Sequence, residues 1–202
     1  QLEALHQLKP KVFKIHSRPR EPLYASWSFG ASVSTGDILC SWNVDDNRFV
    51  SVIPEIVSMM DVMNAEIIYP SFIYVRGVTV KIPFFKTVLK VPLKMKKVTP
   101  PEFNKKRFMK EMHMGPFFFF TKKAFEEVGP FDSTYKIAGD FEWQVCAVSK
   151  NIIFRRYTKA VGVFTNYGTS LSGSKNPIQT QENERALNTV NTVNNIHSAP
   201  QS

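Results

Sequence analysis

The stretch Ile38-Leu39-Cys40-Ser41-Trp42-Asn43-Val44-Asp45-Asp46-Asn47 decides how the chain is read. Residues 38–42 are a short, mostly apolar run, the pattern of a strand buried on both faces, and the run stops at a cluster of Asn and Asp. Before it, residues 23–34 predict a helix with Leu23, Trp27, Ala31 and Ser34 on one face and Gly36 as its stop. After it, residues 50–64 predict a second helix, with Ile53, Ile56, Val57, Met60 and Met63 at helical spacing. A short strand is expected over 12–16, and the β-rich residues over 67–80 suit two strands or a hairpin. Strands alternating with helices in this order predict an α/β layer with a mostly parallel central sheet.

The second half continues the pattern. Gly115-Pro116 leads into Phe117-Phe118-Phe119-Phe120, a short aromatic strand. Thr121 is placed to cap a small helix over 122–128, and Gly129-Pro130 to stop it. A further helix is expected over 140–150, with Phe141, Val145 and Val148 on one stripe, followed by strands over 152–157 and 161–165. From Gly173 onward Asn, Thr, Gln and Ser dominate. Asn and Thr are weak helix formers, so 182–196 is at best a marginal helix and 173–202 is expected as a polar, flexible tail.

Composition bounds the answer. With 202 residues the chain suits one domain with a sizeable core, and 43% apolar residues with 17 Phe exclude a disordered chain. No apolar run is long enough to span a membrane. The two cysteines, Cys40 and Cys146, exclude a disulfide scaffold and predict buried free thiols in a reducing compartment. No secretory signal opens the chain, so the expected location is cytoplasmic and membrane-peripheral.

The net charge of +9 is concentrated. Residues 81–110 hold ten Lys/Arg and one acid, Glu102, which gives +9; the remainder has 16 basic and 16 acidic residues and is neutral. Within this basic insertion lysines alternate with apolar residues (Lys86, Val88, Leu89, Lys90, Val91, Leu93, Lys94), as on a solvated strand edge or an amphipathic insertion. The charge suits a phosphate-bearing partner or an anionic membrane surface. Nucleic acid is disfavoured, since no basic helix or aromatic RNA-binding pattern accompanies it.

Two groups of residues could carry chemistry. Asp45-Asp46 stand at the carboxyl end of the expected strand, where ligands gather in open α/β sheets, and paired carboxylates are hard ligands for Mn²⁺ or Mg²⁺. Read alone, the pair also suits a solvated turn that caps the next helix. The second group is Ala138-Gly139-Asp140-Phe141-Glu142-Trp143. A carboxylate at a helix N-terminus is favoured in its ionised, proton-accepting form, although an ordinary cap looks the same. Trp143 reads as a core residue or as a platform for a sugar ring. The four histidines have no ligand spacing, and only His113 falls close to either group. A phosphate-cradling glycine loop, a Gly-x-Ser-x-Gly elbow and a zinc-protease motif are all absent, which argues against NTPase, hydrolase and metalloprotease readings.

Taken in order, these residues resemble the family 2 glycosyltransferases of GT-A fold. Residues 23–27 through Ser34-Thr35-Gly36-Asp37 look like that family's helix before its metal-site strand, and Asn43-Val44-Asp45-Asp46-Asn47-Arg48 looks like its Asn-x-Asp-Asp-x-Arg variant of the Asp-x-Asp motif. Gly115-Pro116, Val128-Gly129-Pro130-Phe131-Asp132 and Ala138-Gly139-Asp140-Phe141-Glu142-Trp143 are similar to its acceptor-side half. The resemblance covers about residues 12–172. It implies a GT-A-like sandwich whose first βαβ unit is largely missing from this chain, only residues 12–16 representing it.

The resemblance also implies roles. Asn43, Asp45, Asp46 and Arg48 would bind a nucleotide-diphosphate sugar donor, with Mn²⁺ or Mg²⁺ on Asp46 and Asp45. Asp140 would be the general base that takes the proton of an acceptor hydroxyl on a glycan, lipid or protein, with inversion at the anomeric carbon. Gly139, Glu142, Trp143, Gly115 and Pro116 would shape the acceptor site. The alternative is a non-catalytic relative that binds carbohydrate or protein through the same surface, and a third reading makes residues 81–110 a polyanion-binding segment.

Overall fold

The computed structural model describes residues 14–43, 47–81, 88–110, 114–167 and 176–197, with side chains in the last stretch as far as 189. In chain order the elements are α1 (Leu23–Val33), β1 (Ile38–Cys40), β2 (Asn47–Arg48), a 3₁₀ turn (Val50–Val52), α2 (Ile53–Val62), β3 (Ile67–Lys81) and β4 (Val88–Val98). Then follow α3 (Lys105–Phe108), β5 (Phe119–Thr121), α4 (Lys122–Val128), α5 (Gly139–Ser149), β6 (Phe154–Asn166) and α6 (Pro177–His197). No helix among the described residues is long and apolar enough to cross a membrane.

One mixed sheet organises these elements in the order β1-β5-β3-β6-β2, with β4 on β3. The α/β class holds, but the sheet is not mostly parallel: only β3 and β6 run parallel, and the other four pairings are antiparallel. The cause is local. A short link joins β3 to β4 and can only return the chain antiparallel, whereas a parallel neighbour needs a long crossover such as the one carrying α4 and α5 between β3 and β6. The residues expected to form two strands or a hairpin over 67–80 are one fifteen-residue strand, and the hairpin partner is the basic segment.

Period-2 alternation divides the core into two sides. Ile67, Tyr69, Phe118 and Phe120 enter a large cluster with Tyr24 of α1, Phe125 of α4, and Phe141, Trp143 and Val145 of α5. Ile68, Phe117 and Phe119 point the other way, to Ile56 and Met60 of α2. The Phe run is thus buried on both sides, and each ring contributes roughly 1.5–3 kcal/mol by leaving water.

Pro70 has no N–H to donate within β3, and the β3–β6 ladder shifts register there: Pro70 faces Tyr157 while Ser71 faces Ala160. Thr158 and Lys159 drop out of the ladder, which is why the sequence reads as two strands where the backbone forms one. Ser71, fully buried, donates its hydroxyl to Thr99 Oγ1 at 3.0 Å.

Other expectations shift by a residue or two. Helix α1 turns Tyr24 and Ala31 inward and leaves Leu23 exposed. In α2 only Ile56 and Met60 are buried, while Ile53, Val57 and Met63 stay exposed. Strand β1 is shorter than expected and buries only Leu39, so Cys40 is exposed rather than a buried thiol, and Cys146 is half-buried. Of the strand expected over 12–16, residues 12 and 13 lie outside the described residues and 14–16 are in no strand. Thr121 caps α4 as expected, its Oγ1 accepting from the Ala124 N–H at 3.0 Å, and Gly129 ends the helix at φ +100°.

The largest difference is at the C-terminus. The polar stretch expected as a marginal helix forms the 21-residue α6, which packs on α5 and inserts Ala186 into the large cluster. Its propensity is low, so tertiary contacts supply the stability. Chief among them is Glu182, whose carboxylate accepts the N–H groups of Lys136, Ile137 and Ala138 at 2.8, 2.9 and 2.9 Å. Glu182→Ala would strand three donors, and it is expected to cost about 2 kcal/mol in urea unfolding, with Glu182→Gln losing less. Equal stability of Glu182→Ala and the parent would contradict this account.

Candidate functional site

The site grows from the first turn of α5. Gly139 lies against the ring of Tyr24: a Cβ at this position would stand 2.6 Å from Tyr24 Cδ2, so only glycine lets the α1 ring cover the helix start. The Tyr24 hydroxyl lies 2.6 Å from the Ile137 carbonyl and 3.2 Å from Asp140 Oδ1, and both accept from it. Asp140 Oδ1 also accepts the Phe141 N–H at 2.9 Å. Helices α1, α5 and α6 therefore meet at one short segment, with Tyr24 and Glu182 holding residues 136–140 from two directions.

Burial governs the electrostatics here. It pushes the Asp140 carboxyl up to about 6, against the opposing pull of the Phe141 N–H and the Tyr24 hydroxyl, and the Glu182 charge adds to the rise. Burial also raises Tyr24, with Asp140 next in effect, so its hydroxyl stays protonated as a donor. Burial acts on Glu182 too, but the three N–H bonds outweigh it and hold that carboxylate below the ordinary range. Tyr24 has a place in the family-like motif but no predicted role, and nothing in the polar C-terminal sequence marks Glu182. Both gain their partners only through contacts more than forty residues apart.

The remaining expected site residues separate into distinct surroundings. Glu142 neighbours Asp132 and Arg185 rather than Asp140; its carboxylate, raised by burial, accepts the Cys146 thiol at 3.1 Å. Burial and that carboxylate push the thiol up to about 12, so Cys146 is no nucleophile. Trp143 is 1% exposed, packs 5.1 Å from Phe131 and Phe120, and donates Nε1–H to the Gly129 carbonyl, so it presents no face to a sugar. Gly115 takes φ +81° beside Phe72, in the opposite side of the core from Gly139, and Pro116 follows it half-buried.

On the donor side, Asn43 is half-buried, and Asp45 and Asp46 lie outside the described residues, as does His113. Their flanks are well fixed. Arg48 in β2 donates Nη2–H to the Ser41 carbonyl and stacks 4.3 Å above the Phe117 ring, joining the two ends of this stretch across six intervening residues. Strand β2 is anchored on β6 at Gly162, where a Cβ would come within 2.6 Å of the Asn47 carbonyl oxygen. Arg48 therefore has a positioning use that its expected donor contact did not include. Among the described residues no group of three or more His, Cys, Asp or Glu converges as a metal site, so an Mn²⁺ or Mg²⁺ role rests on Asp45 and Asp46.

A scan against protein-family models finds no match, and no curated protein matches the chain. The raised Asp140 gives the site a pH signature. A carboxyl whose folded-state value is raised favours the fold fully below the unfolded value of about 3.9, and that contribution is lost as pH rises through about 6. Asp140→Asn is accordingly expected to be more stable than the parent by about 2 kcal/mol near pH 8 and little different near pH 4. Urea unfolding at both pH values checks this; the same difference at each would refute a raised carboxyl.

Proposed function

We propose that the chain belongs to a glycosyltransferase of GT-A type, which moves a sugar from a nucleotide-diphosphate donor to an acceptor hydroxyl with inversion. The observation that carries the reading is Asp140: a carboxyl at the first turn of α5, fixed through Oδ1 by two donors and raised to about 6. A base is most useful when its pKa lies near the working pH, and a carboxyl near 6 is ionised at neutral pH yet far more basic than an exposed aspartate. The Tyr24 hydroxyl and the Phe141 N–H both donate to Oδ1, and in this reading Oδ2 accepts the proton of the attacking hydroxyl.

The proton leaves the acceptor oxygen for Asp140 Oδ2 as that oxygen attacks the anomeric carbon and the bond to the diphosphate breaks. A single displacement of this kind inverts the configuration. Tyr24 and the 136–138 segment keep the carboxylate in place during the step, so no reorganisation is needed at the moment of reaction. Asn43 and Arg48 flank the two aspartates assigned to the donor. A divalent cation on Asp45 and Asp46 would supply Lewis-acid help to the departing diphosphate.

In the gene product, Asp140→Asn is expected to lower transfer by about 10²–10⁴-fold while donor binding is kept, and parent activity should fall away below about pH 6. Asp46→Ala is expected to abolish Mn²⁺-dependent binding of a nucleotide-diphosphate sugar. The assay is sugar transfer from a panel of such donors, with binding followed by calorimetry. Full turnover by Asp140→Asn would sink the base assignment, and metal-dependent donor binding unchanged in Asp46→Ala would sink the metal assignment.

A further inference from the structure

The β3–β4 ribbon is the feature that the transferase reading leaves unused. Strand β3 pairs with β6 only as far as Arg76, opposite Asn166; beyond it, residues 77–81 pair with residues 88–92 of β4 alone. This outer half is a two-stranded ribbon. Tyr167 holds its base, accepting the Thr79 hydroxyl at its carbonyl at 3.1 Å with its ring 5.6 Å from Lys90 Nζ.

Residues paired across an antiparallel ladder share a face, so Val78 and Val91 lie beside Val80 and Leu89 on one side. Val78, Val80 and Leu89 are 42%, 44% and 52% exposed, and the same face carries Arg76 opposite Lys94, and Lys96 opposite Tyr74. The same two strands carry Arg76, Lys81, Lys90, Lys94, Lys96 and Lys97 and no acid. The nearby Glu102 is paired with Arg156 at 3.0 Å and does not neutralise them.

Lysines alone are the usual protection of an edge strand against pairing with other chains. They do not account for large apolar side chains standing in water between them. Grouped exposed apolar residues mark an interaction surface, and the surrounding charge selects its partner as anionic. Leu and Val offer nothing to a nucleic acid, which takes aromatic platforms or base-edge donors. They suit the interfacial layer of a bilayer, where apolar side chains sink among the headgroups and lysines meet lipid phosphates and carboxylates.

We propose that the β3–β4 ribbon docks on an anionic lipid surface, with Val78, Val80 and Leu89 entering the headgroup layer beside Arg76, Lys94 and Lys96 of the same face. The proposal stands apart from the transferase reading and is tested without any assay of transfer. The chain is sedimented with phosphatidylcholine vesicles with and without about 30% phosphatidylserine, and its retention on single-stranded RNA is measured in parallel. Two variants are compared, Arg76→Glu/Lys94→Glu/Lys96→Glu and Val78→Ser/Val80→Ser/Leu89→Ser. All six positions are exposed, and circular dichroism and melting are used to check that both variants fold.

The parent is expected to bind only the phosphatidylserine vesicles, less so as salt rises. Each variant should bind at least about tenfold more weakly. No binding to those vesicles, equal binding to phosphatidylcholine alone, or unchanged binding by either variant would overturn the proposal. So would tighter retention on RNA than on vesicles.

Discussion

The sheet depends on the need of β3 for hydrogen-bond partners on both edges where its first six side chains are buried. Ile67, Ile68 and Tyr69 are sealed from water, so every N–H and C=O around them must find another strand. One edge is supplied by β6 as far as Arg76. The other passes from β5, which ends its pairing at Ile68, to β4, which begins at Phe72. Pro70 and Ser71 occupy this handover, where proline needs no partner for an N–H and the serine hydroxyl reaches Thr99 at the start of the next segment. The order of the sheet, and the two-sided core that it separates, follow from that handover.

Upon this frame the start of α5 is held by groups from both ends of the chain. Tyr24 lies over Gly139, and its hydroxyl reaches two acceptors; Glu182 gathers three consecutive N–H groups from the other side. The arrangement is costly for Asp140, whose half-buried carboxylate is held partly out of water near a second negative charge. That cost is the physical source of its raised pKa. A structural aspartate cap would be expected to show the reverse, a lowered value from satisfied N–H bonds in water.

Charge is segregated as well. The α5–α6 side balances its charges locally, with Arg185 paired to Asp132 at 3.2 Å and stacked 3.6 Å over the Tyr135 ring. The ribbon accumulates cations without acids. A protein with uniform positive charge would attract polyanions anywhere on its surface, whereas this one presents its charge on one projecting element.

The sequence by itself determined what short-range chemistry controls. Thr121 and Gly129 bracket α4 because a hydroxyl cap and a left-handed glycine act within a few residues. The inward stripe of α5 and the strand character of the basic segment were legible from periodicity. Asp140 was legible as a candidate from its place at a helix start. What only the tertiary structure decided depends on distant partners. Parallel or antiparallel pairing lies in how segments return to one another, and no periodicity encodes it. Trp143 is a core ring because Phe118, Phe120 and Phe131 surround it, and a lone Trp in sequence looks the same in either role. Helix α6 forms despite weak propensity because Glu182 finds three backbone donors some 45 residues away. The pKa of Asp140 is of the same kind, since burial and the Tyr24 and Glu182 contacts exist only after the chain has folded.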